Sequence, residues 1–175
     1  MALIHRRMPG PPDLAAIAAA FDSSSAQSVV IGGFAVIANR HVRATEDVDL
    51  LIPEDPENHV RVLAALDALG ARFLSDGAAV TLQAVQERAH LRLDCGDHGI
   101  LDLLKEGEPP LDFASVAAAA LYAEIGGTTT RFAGLASTVA FKRLAGRVRD
   151  RQDLEALAEV HGDLPILPIP GLDDE

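Results

Sequence analysis

The segment Asp47-Val48-Asp49-Leu50-Leu51-Ile52 sets two carboxylates inside what otherwise reads as a buried β-strand. Val48, Leu50, Leu51 and Ile52 suit a covered, pleated surface, whereas aspartate is depleted there. Side chains two apart on a strand share a face, so Asp47 and Asp49 stand side by side with no basic residue between them. Pro53 stops the strand because it cannot donate to a sheet ladder. The competing interpretation is an edge strand showing its solvent face. The flanking sequence decides against it.

Before this strand, Pro12-Asp13 leads into apolar positions Leu14, Ile17, Ala18 and Phe21 at helical spacing, closed by Ser23-Ser24-Ser25. Ser28–Ile31 predicts a short buried strand, Gly32-Gly33 a tight turn, and Phe34–Asn39 a short helix. After it, Pro56–Leu69 predicts an amphipathic helix with Val60, Leu63, Leu66 and Leu69 inward and Gly70 as its stop. Ala71–Leu74 predicts a strand and Ala79–Arg88 a helix. His90–Cys95 and Ile100–Leu104 form a hairpin around Gly96-Asp97-His98-Gly99. A helix over Phe113–Ala120, a second hairpin turning at Gly126-Gly127, and two closing helices over Ser137–Gly146 and Asp150–His161 follow. Strands alternating with helices and interrupted by hairpins predict an α/β (α+β) fold with a mixed β-sheet and flanking helices. The expected organisation is a single domain over 1–162, with a core over 28–134 and closing helices over 135–162. A Pro-rich acidic tail over 163–175 is expected to be extended or loosely ordered.

Three features then carry chemistry. Gly32-Gly33, between a strand and a helix, lets the backbone approach a ligand closely, and helix N-terminal N–H groups favour phosphate. Asp47 and Asp49 can share one hard divalent cation, Mg²⁺ or Mn²⁺, which takes one or two carboxylates together with substrate phosphates. Asp102 stands alone in the apolar run Ile100–Leu104, where a carboxylate is costly without a charged partner; a cation held by Asp47 and Asp49 supplies one. Asp94 is the rival third carboxylate, and the apolar flanks favour Asp102. Together these residues predict metal-assisted nucleotidyl transfer from a nucleoside triphosphate (NTP), with catalytic and metal-binding roles for Asp47, Asp49 and Asp102.

The residues that carry this chemistry resemble those of the nucleotidyltransferase superfamily with the DNA-polymerase-β-like fold. Ile31-Gly32-Gly33, Asp47-Val48-Asp49 and Leu101-Asp102-Leu103 match its three motifs. Within the superfamily the chain is similar to small bacterial members, including AbiEii-type enzymes of type IV toxin–antitoxin systems. The match there is Arg43-Ala44-Thr45-Glu46-Asp47-Val48-Asp49, followed by Lys142, Arg149-Asp150 and Asp153. The resemblance implies that Arg43, Thr45 and Lys142 position the nucleotide, and that Asp150 supports the site or the acceptor hydroxyl. The acceptor, whether protein, RNA or small molecule, does not carry over, because the chain lacks the helical bulk of the larger toxin-type enzymes. That difference also motivates an alternative: an inactive nucleotide-binding or antitoxin-like module acting through a toxin or antitoxin protein partner.

Charge and composition narrow the classes. With 26 acidic and 15 basic residues the net charge is −11, which disfavours RNA, since nucleic-acid affinity comes mainly from Lys and Arg neutralising phosphates. Only the Arg143, Arg147, Arg149 and Arg151 cluster offers a docking patch. The apolar runs are far too short to span a membrane. Arg6 and Arg7 are followed by Pro9, Pro11 and Pro12 where a signal peptide needs an apolar stretch. One cysteine, Cys95, fits a reducing compartment. The expected location is cytoplasmic.

Overall fold

The computed structural model describes residues 8–174; Arg6 and Arg7, the rest of the first seven residues, and Glu175 at the end of the tail lie outside the described residues. Seven strands form one sheet: β1 (Val29–Ile31), β2 (Asp47–Ile52), β3 (Arg72–Phe73), β4 (His90–Asp94), β5 (Ile100–Lys105), β6 (Leu121–Ile125) and β7 (Thr128–Phe132). Their spatial order is β3-β4-β5-β2-β1-β7-β6. The sheet is mixed: β2 runs parallel to β5 and β1 parallel to β7, while the remaining neighbours are antiparallel. The acidic strand β2 is therefore central, not an edge.

Among the described residues seven α-helices flank the sheet: α1 (Leu14–Ser23), α2 (Gly32–Ala38), α3 (Pro56–Ala68), α4 (Leu82–Glu87), α5 (Phe113–Ala118), α6 (Leu135–Ala145) and α7 (Val148–His161). Local chemistry sets several of their starts. Asp13, Asp55, Thr81 and Asp112 each accept a backbone N–H from the first turn that follows them, satisfying donors a helix start leaves orphaned. Val48, Leu50 and Ile52 project from one face of β2 into a core with Leu101 and Leu103 of β5 and with α1, α3 and α4. Burying side chains of this size contributes roughly 1.5–3 kcal/mol each. On the opposite face, Leu51 packs with Val29, Ile31, Ala35, Phe113 and Val116. Asp47 and Asp49 share that face but lie beyond the apolar cover, which leaves one end of the strand open.

Three sequence expectations are corrected. The glycine pair is not a separate tight turn: α2 starts at Gly32, which has φ +66°. The inward face of α3 is rotated, with Val60 54% exposed and Val62, Ala65 and Leu66 buried, because the helix docks one side on the sheet and another against α1 and α4. The tail docks instead of hanging loose. Ile169 packs with Leu111 and Ala140, and Arg143 grips Asp173 and the Leu167 carbonyl. No helix among the described residues is long and apolar enough to cross a membrane.

Candidate active site

Strand register brings the three aspartates together. Asp49 on β2 lies opposite Asp102 on β5, and Asp47 is two residues away on the same face. One carboxylate oxygen from each of Asp47, Asp49 and Asp102 falls within 4.8 Å of the other two. Three convergent carboxylate oxygens are a donor set suited to a hard divalent cation. Asp94 does not join them: it accepts the Gly96 N–H at 2.8 Å and shapes the hairpin turn.

Their electrostatics follow from crowding. Burial, and then the charges of Asp47 and Asp102, push the Asp49 carboxyl up to about 7. Burial also raises Asp102, against the pull of His90 and Arg92. His90 Nε2 lies 2.7 Å from Asp102 Oδ1. The Arg92 guanidinium spans the site, donating from Nη1 to Asp102 Oδ2 at 2.5 Å, with Nη2 3.3 Å from Asp47 Oδ2.

Gly32 and Gly33 are needed for space. A Cβ on Gly32 would overlap the Asp49 carboxylate, and one on Gly33 would come within 2.5 Å of Thr45 Oγ1. Thr45 in turn donates to the Asp47 carbonyl at 3.1 Å. The two glycines and the Arg43–Asp49 segment therefore interlock.

Behind them α6 and α7 build a buried ionic network. Lys142, 6% exposed, sets Nζ 2.9 Å from Asp150 Oδ1 and 2.8 Å from Asp153 Oδ2. Arg43 Nη2 donates to Asp153 Oδ2 at 3.1 Å, and Nε lies 2.9 Å from Oδ1 but off the N–H direction, an ion pair without a hydrogen bond. Burial would raise Asp150, but hydrogen bonds from Arg147 and Lys142 outweigh it and hold the carboxyl below the usual range. Asp153, quoted only as a motif match, is thus the bridge between the loop before β2 and the closing helices.

A cavity of about 430 Å³ opens over this floor. Every site residue expected from the sequence lines it: Gly32, Gly33, Arg43, Thr45, Asp47, Asp49, Asp102, Lys142 and Asp150. Lys142 arrives already paired with two aspartates. His90 and Arg92 also line the cavity and were not among the expected residues; Arg147 and Arg149, expected in a docking patch and not as site residues, line it as well. The alternation His90-Leu91-Arg92-Leu93 put His90 and Arg92 on one polar face, but only the pairing of β4 with β5 aims that face at Asp102. The arginine cluster is divided: Arg143 turns to the tail, and Arg151 donates to the Gly146 carbonyl.

A family model described as Aminoglycoside-2''-adenylyltransferase matches residues 13–157. Among solved structures, the crystal structure of ANT(2'')-Ia in complex with adenylyl-2''-tobramycin is 18% identical, with a TM-score of 0.56 over 83% of this chain and 86% of that one. The solution structure of the antibiotic-resistance factor ANT(2'')-Ia gives 18% identity and a TM-score of 0.58 over 84% and 81%. An antigenic nucleotidyltransferase-like protein from Paracoccidioides brasiliensis gives 20% and 0.54 over 84% and 74%. These likenesses bear on the fold. No curated protein matches the chain. The superfamily suggested by the motifs is thereby supported, whereas the AbiEii and toxin–antitoxin kinship draws no support from these matches.

Proposed function

From the premise that the chain belongs to the aminoglycoside-2''-adenylyltransferase family and is a nucleotidyltransferase, we propose that it transfers AMP from ATP to a hydroxyl of a small-molecule acceptor. The observation that carries this reading is the convergence of Asp47, Asp49 and Asp102 on the floor of one cavity. The three carboxylates would hold Mg²⁺ or Mn²⁺, which when bound neutralises the triphosphate and polarises the reacting phosphate.

The chain's own residues do the rest. Gly32 and Gly33 leave room for the Asp49 carboxylate and Thr45 Oγ1 against the start of α2, whose backbone N–H groups face the phosphates. Arg147 and Arg149, exposed at the α6–α7 corner, offer charge-assisted hydrogen bonds to phosphate oxygens. Lys142 and Asp153 keep Arg43 and α7 in register with the loop before β2, and Asp150 anchors Arg147. Asp102 takes the acceptor proton: it stands on β5, on the side of Asp49 away from the glycine pair, where an in-line acceptor hydroxyl would approach.

The test follows transfer of label from α-³²P-ATP and release of pyrophosphate. Asp47→Ala with Asp49→Ala is expected to lower the rate about a thousandfold, the several kcal/mol a bound cation supplies at 1.36 kcal/mol per decade. It should also abolish Mn²⁺ binding measured by calorimetry. Equal turnover in the wild type and the double variant would remove the catalytic assignment.

A further inference from the structure

One row of residues crosses four neighbouring strands on the cavity floor. Arg92 on β4 lies opposite Asp102 on β5, Asp102 opposite Asp49 on β2, and Asp49 opposite Ile31 on β1, one residue before Gly32. His90 shares the face of Arg92. Phosphoryl groups transfer with the attacking and leaving oxygens roughly in line. With the pyrophosphate over Gly32 and Gly33, the acceptor hydroxyl enters from the opposite end, across β5 and β4. Arg92 is the fixed charge that β4 contributes to the cavity lining there.

Among the described residues, the cavity lining offers no free carboxylate for a polycation at that end. Of the acidic residues lining the cavity, Asp47, Asp49 and Asp102 form the metal-binding floor, and Asp150 is paired with Lys142 and Arg147. Among the described residues no other carboxylate lines it. Five of the 15 Lys and Arg residues of a chain with net charge −11 line this one cavity: Arg43, Arg92, Lys142, Arg147 and Arg149. The Arg92 side chain is 46% exposed. Its contacts to Asp102 and Asp47 leave part of its five-donor fork for a ligand. A guanidinium fork at a half-open mouth matches an oxyanion in geometry and in charge.

We propose that the acceptor is a small hydroxyl compound carrying an oxyanion, a phosphate or a carboxylate, held by Arg92, and not a polyamine sugar. The proposal rests on the nucleotidyl-transfer reading of the same site. In the reaction the acceptor oxygen bonds to the α-phosphorus of ATP and its proton passes to Asp102. The bond from that phosphorus to the bridging oxygen breaks, and pyrophosphate leaves with the electron pair.

The full chain, saturated with Mg²⁺ and α,β-methylene-ATP, is titrated calorimetrically with glucose 6-phosphate, gluconate, glucose and tobramycin. At least one of the two anions is expected to bind tenfold or more tightly than glucose. Arg92→Glu should erase that preference and Arg92→Lys should restore part of it, with each variant first shown to bind the analogue. The anion that wins separates phosphate from carboxylate recognition. Tighter binding of tobramycin than of either anion, an anion preference untouched by Arg92→Glu, or no discrimination among the four ligands overturns the proposal while leaving nucleotidyl transfer standing. Failure of the wild type to bind the analogue with Mg²⁺ overturns both.

Discussion

Gly32 adopts φ +66° with the Asp49 carboxylate where its side chain would be. Gly32→Ala therefore meets two penalties, roughly 1–2 kcal/mol for a left-handed alanine and displacement of a carboxylate from the acidic floor. Calorimetry is expected to show Mn²⁺ affinity reduced at least tenfold, while circular dichroism still reports a folded chain. Asp102→Asn separates charge from shape: the amide fills the same volume beside His90 and Arg92 but accepts no proton. Transfer should fall by about 10²–10⁴, far more than binding of α,β-methylene-ATP with Mg²⁺, which Asp47 and Asp49 still support. Matching losses of both would show that Asp102 acts through the nucleotide and not on the acceptor. At this scale much was legible in the sequence. A two-residue period fixes that Asp47 and Asp49 share a face, and an aspartate flanked by Leu101 and Leu103 signals a partner without naming it. Arg92 was not legible, because its neighbour Asp102 is decided by strand pairing.

At the scale of elements, α6 and α7 are joined by buried charge. Lys142 lies between Asp150 and Asp153, and Arg147 closes on Asp150 with Nε at 2.8 Å. Removing one partner of such a pair leaves a charge desolvated and costs about 3–5 kcal/mol, so Asp150→Asn should lower the urea midpoint sharply without changing the slope. The pH dependence has a definite sign. Asp150 titrates in the folded chain below its ordinary value of 3.8, so its stabilisation is complete above that pH and is lost as the pH falls through the folded value. Equilibrium unfolding between pH 3 and 7 should show a steeper acid limb in the wild type than in Asp150→Asn. Sequence placed Lys142 late in its helix, and the family resemblance implied that it positions a nucleotide. Its burial comes from α7 folding back across α6, which no local pattern in α6 records.

At the scale of the whole molecule, the C-terminal segment braces the wall of the cavity. Ile169 packs with Leu111 and Ala140, and Phe141, which lines the cavity, leans on the same cluster. Ile169→Ala is expected to cost about 2 kcal/mol, the low end for a buried isoleucine at a satellite cluster, read as a shifted thermal midpoint. Composition marked this tail as extended or loosely ordered because prolines and acids dominate it; Ile169, Leu167 and the Arg143–Asp173 pair dock it. Chain order alone supplied the alternation of strands and helices, the helix caps, and an acidic strand flanked by a glycine pair, since each depends on neighbours within a few residues. Tertiary structure decided the rest: the parallel pairing of β2 with β5 that sets Asp102 beside Asp49, the antiparallel pairing that lays Arg92 across them, and the docking of α7 that buries Lys142. Those contacts join residues far apart in the chain. Strand order and register, not local preference, determine them.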